Sequence, residues 1–139
     1  MYFTTHLSCG LFCGALTKNS LGALCLGLVS HAALDMIPHH DYDSVGGAAV
    51  DIASGLVILS AMQTLFPGLS GPLLWGAIGG TIPDLEVALR RIFPGYKLRR
   101  LFPSHSGLLP HPQREFPKGV LVQFAIIAVC LFFCFSLGR

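Results

Sequence analysis

The stretch "LGALCLGLVSHAALDMIPHHDYD", residues 21–43, joins an apolar run to a dense group of titratable side chains. The segment from His31 to Asp43 holds three of the chain's six histidines and three of its seven acidic residues. Across all 139 residues only 12% are charged and the mean hydropathy is +0.66, values typical of a protein that contacts lipid. A titratable cluster beside such a run indicates a functional site on a membrane protein.

Four apolar stretches approach the roughly 20 residues that a helix needs to cross a bilayer. They are 21–37, 46–66, 71–89 and 119–138. A shorter apolar stretch, 1–17, ends before Lys18, and we expect it to cross as well. The sequence therefore predicts an all-α polytopic membrane helix bundle of four long spans plus a short N-terminal helix. Its five crossings would form a single integral-membrane domain, 1–139.

Most of the basic residues fall between the third and fourth long spans, in the segment 90–118. They are Arg90, Arg91, Lys97, Arg99, Arg100, Arg114 and Lys118. By the positive-inside rule this segment is a cytoplasmic basic loop, and the chain is a multi-pass protein of the cell's inner membrane. Counting crossings back from that loop places His31, Asp51 and Asp84 at similar depths near the cytoplasmic side, at about 1.5 Å of rise per helical residue.

Carboxylates at one depth in a membrane repel one another unless a cation lies between them, so the cluster predicts a metal site. His31 and Asp35 are four residues apart and share a helix face, which allows both to bind one ion. Gly79, Gly80 and Pro83 predict a helix break before Asp84. The candidate metal ligands are His6, His31, Asp35, His39, His40, Asp41, Asp51, Asp84 and His105.

The other candidate roles follow from chemistry and spacing. Asp84 and Asp51 are the candidate catalytic carboxylates, and the identity of the general base is left open. Glu86, Arg90 and His111 are expected to support the ligands, since Glu86 and Arg90 are four residues apart and can pair. Arg99 and Arg100 are candidates for binding an anionic substrate. Mixed histidine and carboxylate ligands suit Zn²⁺ or Mn²⁺, with either one ion or two.

Several of these residues also have a structural interpretation. His31 and Asp35 can satisfy each other within one helix, and Asp51 can complement the positive end of a helix dipole. Loop histidines are often solvated, and basic residues can serve only as topology signals or lipid contacts. The spacings Gly10/Gly14 and Gly76/Gly80 predict close helix packing, a purely structural role.

Four short motifs together resemble the membrane-bound metal-dependent hydrolases, also called the LexA-binding, inner-membrane-associated hydrolases. They are "TTH" at 4–6, "SHAALDMIP" at 30–38, "GGTIPDLE" at 79–86 and "SHSG" at 104–107. The last two are similar to the family's Leu-Pro-Asp-x-Asp and Thr-His-Ser. Glu86 stands where the family has a second aspartate, and the His-x3-Asp segment precedes the Pro-Asp motif instead of following it. The resemblance implies a multi-helix bundle with bound metal and hydrolytic activity.

We therefore expect an enzyme, an integral-membrane metal-dependent hydrolase that acts at the cytoplasmic face. Its substrate would be a phosphoester or lipid-linked compound, attacked by a metal-activated water. A metal-ion or proton transporter or channel is one alternative, because membrane-embedded Asp and His also form relays. A non-enzymatic membrane scaffold with a structural metal is another. Nucleic acid is not an expected partner at a net charge of +2, and a homo-oligomer stays open.

Overall fold

Side-chain caps and prolines set the ends of the helices in the computed structural model, which describes residues 1–95 and 99–138. Asn19 accepts a hydrogen bond from the Gly22 N–H at the start of α2, and Ser44 accepts one from the Gly47 N–H at the start of α3. The helices are α1 (Phe3–Thr17), α2 (Ser20–Asp35), α3 (Val45–Leu65), α4 (Ser70–Thr81), α5 (Asp84–Ile92), α6 (Pro103–Ser106) and α7 (Lys118–Gly138). A short 3-10 helix covers Pro67–Leu69. The described ranges contain no named strand, which confirms the all-α class.

The predicted break before Asp84 is confirmed, because α4 ends at Thr81 and α5 begins at Asp84. The stretch 71–89 is therefore two helices instead of one span. The predicted basic loop 90–118 is also partly helical, since α5 continues into it and α6 lies within it. Of the basic residues assigned to this loop, Lys97 lies outside the described residues.

Within the described ranges, only α3 and α7 are long and apolar enough to cross a membrane. The prediction of four long spans and five crossings is therefore wrong. Helix α2 has 16 residues, about 24 Å of helix against a hydrocarbon core of roughly 30 Å. Hydropathy overstated its length because the apolar Met36 and Ile37 follow the end of the helix. The 15 residues of α1 and the 12 of α4 are shorter still.

Helix α1 lies at the centre of the bundle and packs against α2, α3, α4 and α7. The core is formed by Leu7, Leu11, Ala15, Met62, Leu73, Ala77 and Cys134. Glycines let the backbones of α1, α2 and α4 approach closely, as the glycine spacing predicted. A Cβ on Gly27 would lie only 2.6 Å from the Gly76 carbonyl oxygen, and a Cβ on Gly76 would collide with the Gly10 carbonyl oxygen. Both α1 and α2 thus touch α4 at the same glycine.

The two long apolar helices expose most of their surface. In α3 only Gly55 and Met62 are buried, and Val57 is 69% exposed. In α7 the side chain of Phe132 is 66% exposed. Contiguous apolar faces of this kind are unusual on a protein surrounded by water and mark contact with lipid or another apolar surface.

We expect Gly76→Ala to lower the free energy of unfolding by about 1–3 kcal/mol, because the added methyl group would force α1 and α4 apart. The measurement is denaturant unfolding of the detergent-purified protein. Gly68→Ala is the matched control, since nothing lies within 4 Å of a Cβ at that position. Equal stability of the two variants would contradict the close contact between α1 and α4.

Candidate metal centre

The last turn of α2 carries two fully buried polar side chains, His31 and Asp35. Their i, i+4 spacing brings His31 Nε2 to 3.3 Å from Asp35 Oδ2. Asp35 is the last residue of α2. A buried carboxylate is costly unless cations or hydrogen-bond donors surround it. Asp35 therefore requires partners from other parts of the chain.

His105 in α6 and Asp84 at the start of α5 complete this group. His105 Nε2 lies 3.4 Å from Asp35 Oδ2 and 3.5 Å from His31 Nε2. Asp84 Oδ1 lies 3.7 Å from His31 Nε2 and 3.6 Å from His105 Nε2. We call these four residues, His31, Asp35, Asp84 and His105, the first centre.

The hydrogen bonds of the two imidazoles fix which ring nitrogens are free. His31 Nδ1 lies 2.7 Å from the Gly80 carbonyl oxygen, an atom that can only accept, so Nδ1 donates. His105 Nδ1 likewise donates to Glu86 Oε1 at 2.8 Å. When each ring is neutral, both Nε2 atoms therefore carry lone pairs, and these lone pairs face each other. A cation between them removes the repulsion.

The first centre has the dimensions of a tetrahedral metal site. Ligand atoms about 2.0–2.1 Å from a tetrahedral ion lie about 3.3–3.4 Å from one another. The separations given above run from 3.3 Å to 3.7 Å. The group of His31, Asp35 and His105 alone supplies three ligand atoms on fully or almost fully buried side chains. The residues present therefore fit a divalent cation.

His6 of α1 supports the same interpretation. Its side chain is fully buried, neither ring nitrogen has a hydrogen-bond partner, and Asp35 Oδ1 also has none. His6 Nε2 and Asp35 Oδ1 lie 3.3 Å apart without forming a hydrogen bond. The His6 ring stacks on that of His31, with centroids 3.8 Å apart. Buried polar atoms without partners are rare in folded proteins and are often explained by an unseen ion or water. His6 also forms a possible ligand group with His31 and Asp84.

A second pair of histidines lies beside the first centre. His39 Nε2 is 3.1 Å from His111 Nε2 and 3.2 Å from Asp41 Oδ1. The segments that carry the pair are joined by backbone hydrogen bonds, from the His39 N–H to the Pro112 carbonyl and from the Arg114 N–H to the His39 carbonyl. His111 Nδ1 faces Asp35 Oδ2 at 3.5 Å, which connects the pair to the first centre.

Side chains around the centre orient its ligands. Ser104 Oγ donates to Asp35 Oδ2 at 2.6 Å. Glu86 accepts from the Leu101 N–H at 2.8 Å as well as from His105. Glu86 thus contacts a candidate ligand, as its supporting role predicts. Arg100 Nη1 donates to the His105 carbonyl at 3.2 Å.

The charges around the centre shift the pKa of Glu86 in α5, of His105 in α6 and of His111 in the following loop. Burial tends to raise the pKa of Glu86, but the Leu101 N–H and His105 outweigh it and lower that pKa. Burial lowers the pKa of His105, while its contacts with Asp35 and Glu86 raise it above its ordinary value overall. Contacts with Asp35 and Asp41 raise the pKa of His111 to about 9. The site therefore favours positive charge, whether it is a proton or a metal ion.

The remaining predicted site residues lie apart from these groups. Among the described residues, no candidate ligand group includes Asp51 or His40, so their ligand roles stay predictions. Asp51 accepts hydrogen bonds from the Thr4 N–H at 3.1 Å and the Tyr42 hydroxyl at 2.7 Å. His40 Nε2 lies 2.9 Å from Asp43 Oδ2 near the surface. Asp51 thus connects α3 to α1. Its ligand role was predicted from its depth along α3, and that depth does not show which way the side chain points.

The predicted basic residues differ in their placement. Arg99 is exposed, and Arg90 lines a small cavity with Val87, Arg91 and Arg100. Substrate-binding roles for Arg99 and Arg100 stay predictions.

A groove of about 1200 Å³ opens beside both histidine pairs. Asp84, His105 and His111 line it, and Arg91 and Arg100 add positive charge. The rest of the lining is mainly apolar and comes largely from α3, α5 and the end of α4: Val45, Ala48, Ile52, Ile78, Ile82, Leu85, Val87, Ala88 and Ile92.

Sequence reasoning did not single out Arg91 or the amino group of Met1. A signal for Arg91 existed, because Asp84, Ala88 and Arg91 recur at the i, i+4, i+7 spacing of one helix face, and all three line the groove. The Met1 amino group donates to Asp41 Oδ1 at 2.9 Å. No sequence pattern pointed to that contact.

Comparison with known proteins gives no homologue, since no protein family, curated protein or solved structure matches the chain. The resemblance to the membrane-bound metal-dependent hydrolases therefore stays a prediction.

We expect Asp51→Ala to leave metal binding intact and to lower the free energy of unfolding by about 1–3 kcal/mol. The reason is that the Thr4 N–H and the Tyr42 hydroxyl lose their acceptor. Metal analysis and denaturant unfolding of the same preparation measure both effects. Asp43→Ala is the control because that side chain is 83% exposed. Loss of metal from the Asp51 variant would instead support its predicted ligand role.

Glu86→Gln should weaken metal binding by about 10–100-fold, the usual effect of altering a carboxylate that orients a histidine ligand. The substitution keeps the size of the side chain and removes the charge opposite His105 Nδ1. Competition with a chelator measures the change in affinity. Glu115→Gln, at an exposed position, should leave the affinity unchanged, and an equal effect of both substitutions would rule out a specific contribution of Glu86.

Proposed function

We propose that the chain is a membrane-associated, metal-dependent hydrolase that acts on a phosphoester of an amphiphilic substrate. One observation carries the proposal: two buried imidazoles direct their Nε2 atoms toward each other, between the carboxylates Asp35 and Asp84. Two members of this group, Asp84 and His105, line the groove and are therefore accessible to a substrate.

The residues of the first centre have two roles in this proposal: three of them bind the metal, and Asp84 is the general base. His31, Asp35 and His105 are the ligands, and a divalent ion held by them would bring a bound water's pKa near neutrality and polarise an ester oxygen. Asp84 is 27% exposed and lies slightly farther from both imidazoles than Asp35 does. From that position its carboxylate can orient a water molecule and accept its proton.

The groove suits a substrate with an anionic end and a hydrocarbon end. Arg91 and Arg100 supply charge for a phosphate group, and guanidinium groups bind phosphate oxygens in a bidentate manner. The apolar side chains of α3 and α5 supply a surface for a hydrocarbon chain. Notably, α3 both lines the groove and is one of the two helices long enough to cross a membrane. A lipid substrate could therefore enter sideways from the bilayer.

The distribution of apolar and basic residues supports a location at the inner membrane. The exposed apolar faces of α3 and α7 would contact lipid. The arginines of 90–118 would keep the groove on the cytoplasmic side by the positive-inside rule. In this arrangement the ligands lie at the end of the bundle nearest the cytoplasm.

A structural metal in a non-enzymatic scaffold is the second candidate, and one observation favours it. Asp84 Oδ1 lies 3.7 Å and 3.6 Å from the Nε2 atoms of His31 and His105, and a fourth ligand from Asp84 would close the site, as is typical of structural zinc. The two candidates differ in their response to a chelator. A structural ion is required for folding, whereas a hydrolase with Asp84 as base retains its helices after chelation and loses only activity.

The test uses protein in lipid nanodiscs, loaded with Zn²⁺ or Mn²⁺ and supplied with bis(p-nitrophenyl) phosphate and a long-chain alkyl p-nitrophenyl phosphate. We expect metal-dependent release of p-nitrophenol. Asp84→Asn should lower kcat by about 100-fold or more while metal stays bound, because the acceptor for the proton is lost. His105→Ala should lose the ion of the first centre and, with it, activity.

Asp43→Asn, at an exposed site away from the centre, is the control and should retain full activity. Absence of hydrolysis from loaded protein, or full activity in Asp84→Asn, would count against the hydrolase. Collapse of the helical circular dichroism signal on chelation would favour the scaffold.

A further inference from the structure

Four histidines from different segments share one arrangement. In each ring Nδ1 faces an oxygen atom: the carbonyls of Gly80 and Ile37 for His31 and His39, and carboxylates for the other two. The carboxylate is Glu86, at 2.8 Å, for His105, and Asp35, at 3.5 Å and without a hydrogen bond, for His111. Each Nε2 is left to face the Nε2 of one other histidine.

The second of these pairs repeats the features of the first centre. His39 and His111 bring their Nε2 atoms to 3.1 Å, closer than the 3.5 Å of His31 and His105. Asp41 supplies the carboxylate, with Oδ1 at 3.2 Å from His39 Nε2 and Oδ2 at 3.7 Å from His111 Nε2. The His39 side chain is fully buried, and its Nδ1 donates to the Ile37 carbonyl at 2.7 Å. Its Nε2 can therefore only accept while the ring is neutral.

We propose that the second pair binds a second divalent cation, held by His39, His111 and Asp41, with Asp35 between the two ions. This inference rests on the proposed function, because it adds a second ion to the centre on which that function depends. Asp35 Oδ2 lies 3.4 Å from His105 Nε2 in the first centre and 3.5 Å from His111 Nδ1 beside the second. One carboxylate thus contacts histidines of both pairs. A group formed by Asp35, His39 and His111 also offers three ligand atoms close to one another.

The carboxylates of the region carry more negative charge than one dication balances. Asp35, Asp41, Asp84 and Glu86 contribute four carboxylates within contact distance of the histidines. One dication would balance only two of these charges. Nearby positive groups are the Arg100 guanidinium, which donates to a backbone carbonyl, and the Met1 amino group, which contacts Asp41. The Met1 amino group, which also lies 3.8 Å from Asp35 Oδ1, and the Arg100 guanidinium can balance the other two, so the second ion is inferred from the geometry of the second pair and not from charge.

A proton on His111 is the competing explanation for the short contact in the second pair. An imidazolium would donate from both ring nitrogens, toward His39 on one side and Asp35 on the other. The two explanations differ in a quantity that can be counted, the number of metal ions for each protein chain.

The second cation would also define how the substrate binds. Asp41 and His111 line the same groove as Asp84 and His105. Two adjacent ions can bind two oxygens of one phosphoester, and this arrangement stabilises both the attacking and the leaving oxygen. The substrate class that fits is therefore a phosphoester. Two of its phosphate oxygens, either non-bridging or ester oxygens, must be able to reach the two ions from the groove.

The experiment counts Zn²⁺ bound to the full-length chain. Metal-free protein in detergent is dialysed against Zn²⁺, and zinc for each chain is measured by mass spectrometry. We expect two ions in the parent protein, one in His39→Ala, one in His111→Ala and one in His105→Ala. Asp43→Asn is the control and should retain two ions, since Asp43 is two residues from Asp41 in sequence and its side chain is 83% exposed.

The outcomes separate this inference from the proposed function. One ion in the parent that is lost in His105→Ala overturns the second site and leaves the hydrolase proposal intact. No ion in the parent overturns both. Two ions in both His39→Ala and His111→Ala would mean that the second ion lies elsewhere. No ion in either variant would mean that the two pairs are not separate sites. Each of these results also overturns the second site. Circular dichroism checks folding, and His111→Ala decides if His39→Ala does not fold, since His111 is 25% exposed.

Discussion

The buried carboxylate of Asp35 is the constraint on which the polar end of this protein depends. A carboxylate without water requires several donors or cations, and leaving one uncompensated is strongly destabilising. Asp35 draws its partners from four parts of the chain: His6 of α1, His31 of α2, Ser104 and His105 of α6, and His111 of the following loop. Since none of these segments can meet that requirement alone, they converge at the end of α2.

The glycine packing of the bundle makes this convergence possible. Gly80 lies where α4 passes α1, and a Cβ there would stand 2.5 Å from the His6 carbonyl oxygen. The carbonyl of the same glycine accepts the hydrogen bond from His31 Nδ1. A larger residue would separate the helices and move the group that fixes the orientation of His31. Close packing and ligand orientation are therefore properties of one position, in agreement with the rule that precise sites need rigid supporting elements.

Sequence patterns predicted the features that depend on local chemistry. The all-helical class, the break before Asp84 and the close glycine contacts all followed from residue types and spacing. The number of membrane-crossing helices did not, because hydropathy windows ran through the caps and turns that end α2 and α4. The position of Asp51 shows a second limit. Equal depth along separate helices does not determine which way each side chain points, and Asp51 faces Thr4 and Tyr42. Direction is set by tertiary packing, which a single sequence does not encode in any short pattern.

The short helix α6 connects metal binding to substrate binding. It spans only Pro103–Ser106, too short to be stable without tertiary contacts. Its contacts with the rest of the protein include polar ones: Ser104 with Asp35, His105 with Glu86, and the preceding Leu101 N–H with Glu86. Arg100, which lines the groove, donates to the His105 carbonyl. An ion that binds His105 would therefore also help to position the Arg100 guanidinium available to a phosphate, since Arg100 donates to the His105 carbonyl. Segments held by a few polar contacts open more readily than the core, so we expect loss of the ion to loosen the substrate-binding side of the groove before the helices of the bundle separate.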